Sequence, residues 1–99
     1  MNDTQAIVDQ LKKFKPQAVI LFGSAAWGGM KEGSDLDLLV VLDSDKPFTD
    51  RMRDLRTQIS TNVPLDLIVL TPKEARDFPK KSTFFSQIMK EGKLLYGRI

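Results

Sequence analysis

The chain has 99 residues, 41% hydrophobic and 28% charged, with a formal charge of +2 and a pI near 9.0. These values fit one folded domain spanning residues 1–99 and exclude a disordered or fibrous class; the mild charge tolerates a polyanionic partner without requiring one. Neither cysteine nor histidine occurs, which excludes disulfides, thiolate or imidazole metal sites and Ser-His or Cys-His nucleophile pairs, so any chemistry must rest on carboxylates, lysines or bound water.

The N-terminus, Met1-Asn2-Asp3-Thr4, has neither the basic nor the apolar region of a secretion signal, and no apolar run approaches the ~18 residues of a membrane helix. A cytoplasmic protein is expected. From Asp3 to Phe14 the apolar residues Ile7, Val8, Leu11 and Phe14 recur at helical spacing, with Asn2 or Asp3 as cap and Pro16 as terminator. Residues 18–22 are continuously apolar and read as a buried strand. Residues 23–34 hold Gly23, Gly28, Gly29 and Gly33 and are too long for a tight hairpin; Ser24 to Trp27 suit a short helical turn. Residues 36–42 read as a second strand.

Pro47 opens a helix whose stripe is Phe48, Met52, Leu55 and Ile59, with Arg51, Arg53 and Arg56 read as its solvated face. Residues 65–70 read as a third strand carrying Asp66. Thr71-Pro72-Lys73-Glu74 combines an N-cap, a first-position proline and a capping box. Lys80-Lys81 reads as a charged loop. Phe84, Phe85, Ile88 and Met89 mark a further helix facing the core or a partner groove, Gly92 suits its C-cap, and Leu94-Leu95-Tyr96 reads as an edge strand. The order α-β-β-α-β-α-α-β predicts an α/β or α+β fold, a small mixed sheet flanked by helices.

The residues that carry chemistry sit where two strands meet the glycine-rich segment. Gly23-Ser24 ends the first strand; after ten intervening residues Asp35-Leu36-Asp37 begins the second. Strand alternation puts Asp35 and Asp37 on one side, roughly 6.6 Å apart at ~3.3 Å per residue. Two carboxylates so close repel unless a cation intervenes, and oxygen-only ligands favour Mg²⁺ or Mn²⁺. Asp66 alternates with Leu65, Leu67 and Val69. If its strand lies beside the second, Asp66 joins the pair to hold two metals ~3.5–4 Å apart and to take the proton of an attacking hydroxyl. Gly23 lets the backbone approach a phosphate, and Ser24 adds a hydroxyl to an anion nest of successive N–H groups. Ser24 also suits a helix cap, and Trp27 a packing or interface position rather than a base-stacking platform.

Gly-Ser-x10-Asp-x-Asp between apolar strands, with a later strand aspartate, resembles the signature of the DNA polymerase beta-like nucleotidyltransferase superfamily. Gly23 to Gly28 and Ser34 to Val40 look like its minimal nucleotidyltransferase (MntA-like) branch, and the likeness extends through Thr71-Pro72-Lys73-Glu74 to Ile88–Tyr96. Many relatives carry Arg where this chain has Trp27. The resemblance implies Mg²⁺-dependent transfer of a nucleoside monophosphate, AMP from ATP, to a hydroxyl. It also implies a partner: a small helical HEPN-type (HepT-like) toxin that such antitoxins inactivate by adding AMP to a tyrosine. In that reading Asp35, Asp37 and Asp66 are catalytic and metal-binding, and Gly23, Ser24, Asp35 and Asp37 hold the nucleotide. The chain ends soon after its last strand, so the acceptor side is expected to be open or completed by another protein. The rival readings are a binding antitoxin without catalysis, and transfer to a small molecule or an RNA end. The +2 charge argues against the RNA reading, and no nucleic-acid partner is expected.

Overall fold

The computed structural model describes residues 3–23 and 36–98, which form the eight elements in the expected order. They are α1 (Asp3–Lys12), β1 (Ala18–Phe22), β2 (Leu36–Val41), α2 (Phe48–Thr57), β3 (Leu65–Leu70), α3 (Pro72–Lys81), α4 (Thr83–Glu91) and β4 (Lys93–Gly97). The sheet order is β3-β2-β1-β4; β1 is antiparallel to both its neighbours, while β2 and β3 run parallel. The fold is α+β with a mixed sheet. Among the described residues no helix is long and apolar enough to cross a membrane.

The unbroken apolar runs of β1, β2 and β3 have a direct cause: both faces of the sheet are covered. On one face Val19, Leu21, Leu36, Leu38, Val40, Leu65, Leu67 and Val69 pack with Ile7, Val8 and Leu11 of α1 and with Leu55 and Ile59 at α2. On the other, Ala18, Ile20, Phe22, Leu39, Val41 and Leu70 pack with Ile88 of α4, flanked by Ala75 and Phe78 of α3. β4 is an edge strand and is mostly exposed, and Tyr96 on it lies under the Lys12 ammonium.

Two helices stop earlier than their apolar spacing suggests. After Lys12 and Thr57 the chain tightens into i→i−3 bonds: Phe14 N–H to Leu11 O, 3.1 Å, and Ile59 N–H to Arg56 O, 3.2 Å. Phe14 and Ile59 therefore still face the core from outside the α-helical ladder. Lys80 and Lys81 belong to the last turn of α3 and not to a loop, where their charges suit the helix C-terminus. The extended residue Ser82 ends α3 and caps α4, accepting from Phe85 N–H at 3.4 Å. Gly92 stands at the C-cap of α4 as expected, but with φ −66 it does not use left-handed freedom. Space requires the glycine: a Cβ there would meet Ile20 Cγ2 at 2.6 Å and the Ile88 carbonyl.

The largest departure from the sequence reading is Arg51. It is not on a solvated face; it is 7% exposed. Its Nε–H donates to Lys46 O at 2.9 Å and Nη1 to Val69 O at 3.0 Å. Both Nη groups bond the Glu74 carboxylate, at 2.5 and 3.0 Å. Glu74 also completes the expected capping box with Thr71. The Arg51 hydrogen bond holds the Glu74 carboxyl below its ordinary value of 4.5, and Glu74 raises the guanidinium in return. Because Glu74 is depressed in the folded state, its stabilisation is full above pH 4.5 and is lost as pH falls through the lowered pKa. Glu74→Gln keeps an acceptor for the cap but removes the charge opposite a buried guanidinium. Urea denaturation at pH 7 is expected to show a loss of about 2–4 kcal/mol. The gap to the native protein should close as the pH is taken down through the acid range; a gap that stays constant would refute the ion pair's role.

Candidate active site

Hydrogen-bonding register decides which residues meet at the site. β2 and β3 align Leu36 with Leu65 and Asp37 with Asp66, and Leu36 N–H donates to Pro64 O at 2.9 Å. Partners directly aligned on neighbouring strands share a face, about 4.8 Å apart. Asp37 and Asp66 therefore stand side by side at the start of β2 and β3, on the face that farther along carries Leu39, Val41 and Leu70. Beyond the helices that cover those residues, Asp37 is half-buried and Asp66 exposed.

Gly23 approaches from the other side. The antiparallel pairing of β1 with β2 aligns Phe22 with Asp37, so the turn after β1 begins against that aspartate. Gly23 has φ +74, and a Cβ on it would collide with the Asp37 carboxylate oxygen and meet Cγ at 3.2 Å. Two independent requirements, a left-handed backbone and room for the carboxylate, thus select glycine here. The site lies at the C-terminal end of β1 and the N-terminal ends of β2 and β3. Phe84 of α4 is 49% exposed and meets Phe22 edge-on with centroids 5.9 Å apart. An open aromatic ring thus stands one contact from the strand partner of Asp37. Of the two expected places for this ring, the core or a partner groove, its exposure excludes the core.

The structure therefore brings together Gly23, Asp37 and Asp66. Ser24, Asp35 and Trp27, with the expected helical turn at Ser24–Trp27, lie outside the described residues. Among the described residues no group of three metal-ligating side chains occurs, and Asp37 and Asp66 are the two predicted ligands present. Their oxygen-only donors, aligned on adjacent strands and partly open to solvent, fit a hard divalent cation. A cleft of about 150 Å³ lined by Leu42, Asp43, Lys46, Arg51 and others lies at the opposite end of β2. Five residues of strand, roughly 16 Å, separate Leu42 from Asp37, so that cleft is no part of this site.

The mixed sheet of order β3-β2-β1-β4 thus sets Gly23 against Asp37 and Asp66 beside it. The family model "Polymerase beta, Nucleotidyltransferase" matches residues 5–98, and the chain belongs to that family; it is a nucleotidyltransferase. A Methanocaldococcus jannaschii protein named "Putative protein adenylyltransferase MJ0604" is 32% identical over 104 residues, covering 97% of this chain and 100% of that protein. Among solved structures, a "putative nucleotidyltransferase" from Sulfolobus solfataricus is 26% identical with a TM-score of 0.64, covering 95% of this chain and 76% of the other. A toxin–antitoxin crystal structure with AMP-PNP matches with a TM-score of 0.63 at 24% identity, covering 99% of this chain and 75% of that one, a likeness of fold.

Gly23→Ala tests the close approach. Backbone strain predicts a loss of roughly 1–2 kcal/mol, with the collision at Asp37 added to it. In a double-mutant cycle Asp37→Ala should recover about 0.5 kcal/mol or more of that loss, measured by denaturant unfolding. Strict additivity would mean that Gly23 and Asp37 do not touch.

Proposed function

We propose that this chain is an antitoxin that transfers AMP from ATP, with Mg²⁺, to a tyrosine hydroxyl of a small helical HEPN-type toxin in the cytoplasm. The observation that carries the reading is the in-register pair Asp37 and Asp66 beneath the glycine turn. The adenylyl group and the protein acceptor follow the name of the M. jannaschii relative. The toxin partner follows the resemblance to the MntA-like branch and the fold shared with a toxin–antitoxin assembly that was crystallised with AMP-PNP.

In this reading Gly23 and Ser24 give the triphosphate a backbone wall, and Asp35, Asp37 and Asp66 hold the divalent cations. Mg²⁺, when bound, supplies charge neutralisation of the triphosphate and a lowered pKa for the attacking hydroxyl. The acceptor oxygen attacks the α-phosphorus; its new P–O bond forms as the bond to the bridging oxygen of pyrophosphate breaks. Asp66, the exposed member of the pair, accepts the hydroxyl proton. With no histidine in the chain, a carboxylate is the base the sequence offers near neutral pH.

Mass spectrometry of the toxin after incubation with the protein, ATP and Mg²⁺ is expected to show an added AMP. Asp37→Asn and Asp66→Asn should each lower the transfer rate by about 10²–10⁴-fold, with Asp35→Asn behaving alike. Full transfer by these variants would overturn the assignment. Neutralisation of the toxin that survives their loss would favour a binding antitoxin without catalysis.

A further inference from the structure

We propose that the groove between the outer edge of β3 and α2 seats the acceptor polypeptide as an added strand. Its target residue would lie across from Asp66, and an acidic neighbour would reach Arg53 and Arg56. The proposal rests on the transfer reading for the role of the target hydroxyl; the groove itself follows from main-chain geometry.

The ladder fixes which groups face outward. Leu36 N–H bonds Pro64 O and Leu42 N–H bonds Leu70 O, so Pro64, Asp66, Ile68 and Leu70 turn their main-chain groups toward β2. The alternate residues Leu65, Leu67 and Val69 turn theirs outward, along the edge where β3 ends the sheet. At Val69 the outward carbonyl is taken by Arg51 at 3.0 Å. At Leu65 and Leu67 the outward N–H and C=O groups have no hydrogen-bond partner among the described residues. There the edge opens into a groove of about 330 Å³, lined by these residues with Asp66, Thr49, Met52, Arg53 and Arg56. Arg51 thus closes one half of the edge and leaves the half beside Asp66 able to accept a strand.

The same alternation sets the sequence such a strand must have. A residue paired across from Asp66 projects onto the face of Asp37 and Asp66, where a hydroxyl meets the acids. Its two neighbours project onto the α2 face. On that side Arg53 is 68% exposed and shares one Nη2 bond with Asp50 at 2.8 Å. Arg56 gives one Nη1 bond to Ile59 O at 3.2 Å. Both guanidiniums have further donors for a carboxylate. The acceptor segment is therefore an extended stretch with a tyrosine flanked by acidic residues.

The probes are a valine–glutamate–tyrosine–glutamate–valine peptide and its counterpart with lysine for glutamate, titrated into the isotope-labelled full chain. The glutamate peptide is expected to bind at least about tenfold more tightly and to slow exchange of the Leu65 and Leu67 amides. Arg53→Glu with Arg56→Glu should reverse the preference, with the same spectra reporting the fold; Arg53→Gln with Arg56→Gln should abolish it. Equal affinity, no binding, or binding without protection at Leu65 and Leu67 overturns the proposal. So does protection that appears without peptide as protein concentration rises, which would assign the edge to a second copy. Transfer is read separately with ATP and Mg²⁺. A seated peptide that gains AMP supports both readings; a seated peptide left unmodified keeps the groove and removes the transfer reading.

Discussion

The parallel register of β2 against β3 is the constraint on which the site depends. Strand side chains alternate with a period of two, so a slip of one residue would carry Asp66 to the α1–α2 face, among Leu36, Leu38 and Val40 of β2, and turn Leu65, Leu67 and Val69 to the other. Hydrophobic burial on both faces opposes that slip, because it would bury the aspartate and expose leucines. The Leu36–Pro64 and Leu42–Leu70 bonds fix the two ends of the ladder. Alignment of two acids on adjacent strands is thus a by-product of packing a two-sided sheet.

Arg51 reinforces the same register from outside. One guanidinium joins the loop before α2, the edge of β3 and the capping box of α3. A buried cation with so little exposure needs this full set of acceptors, and the bidentate carboxylate provides the strongest of them. Its location also separates two electrostatic tasks. The structural ion pair stands at the C-terminal end of β3, while Asp37 and Asp66 stand at the N-terminal ends of their strands, with no basic side chain bonded to Asp66 among the described residues. Were Arg51 one strand length away, its charge would lie beside Asp37 and Asp66.

The glycine turn adds the third element. Antiparallel pairing of β1 to β2 brings the end of one strand against the beginning of the next, so Gly23 and Asp37 touch although fourteen positions separate them. Parallel strands would not have done this, since the end of β1 would then meet the end of β2. The mixed sheet is therefore what permits a glycine turn and a pair of acids at one end. The open aromatic ring of Phe84 and the edge at Leu65 and Leu67, unpaired among the described residues, lie around that same end.

The strands, their order along the chain, the capping box at Thr71 and the strand positions of Asp37 and Asp66 are legible in the sequence because each has a local cause. Apolar runs, proline and capping chemistry act over a few residues. Arg51 departs from what its charge alone suggests, although its spacing, three after Phe48 and four before Leu55, puts it on the buried stripe of α2. Lys80 and Lys81 are ambiguous in sequence because a helix end tolerates charges that also suit a loop. What residue order alone left open was which strand lies beside β2 and in which register. That depends on free energy summed over both layers of helices, and only the folded sheet places Asp66 beside Asp37 and Gly23 against it.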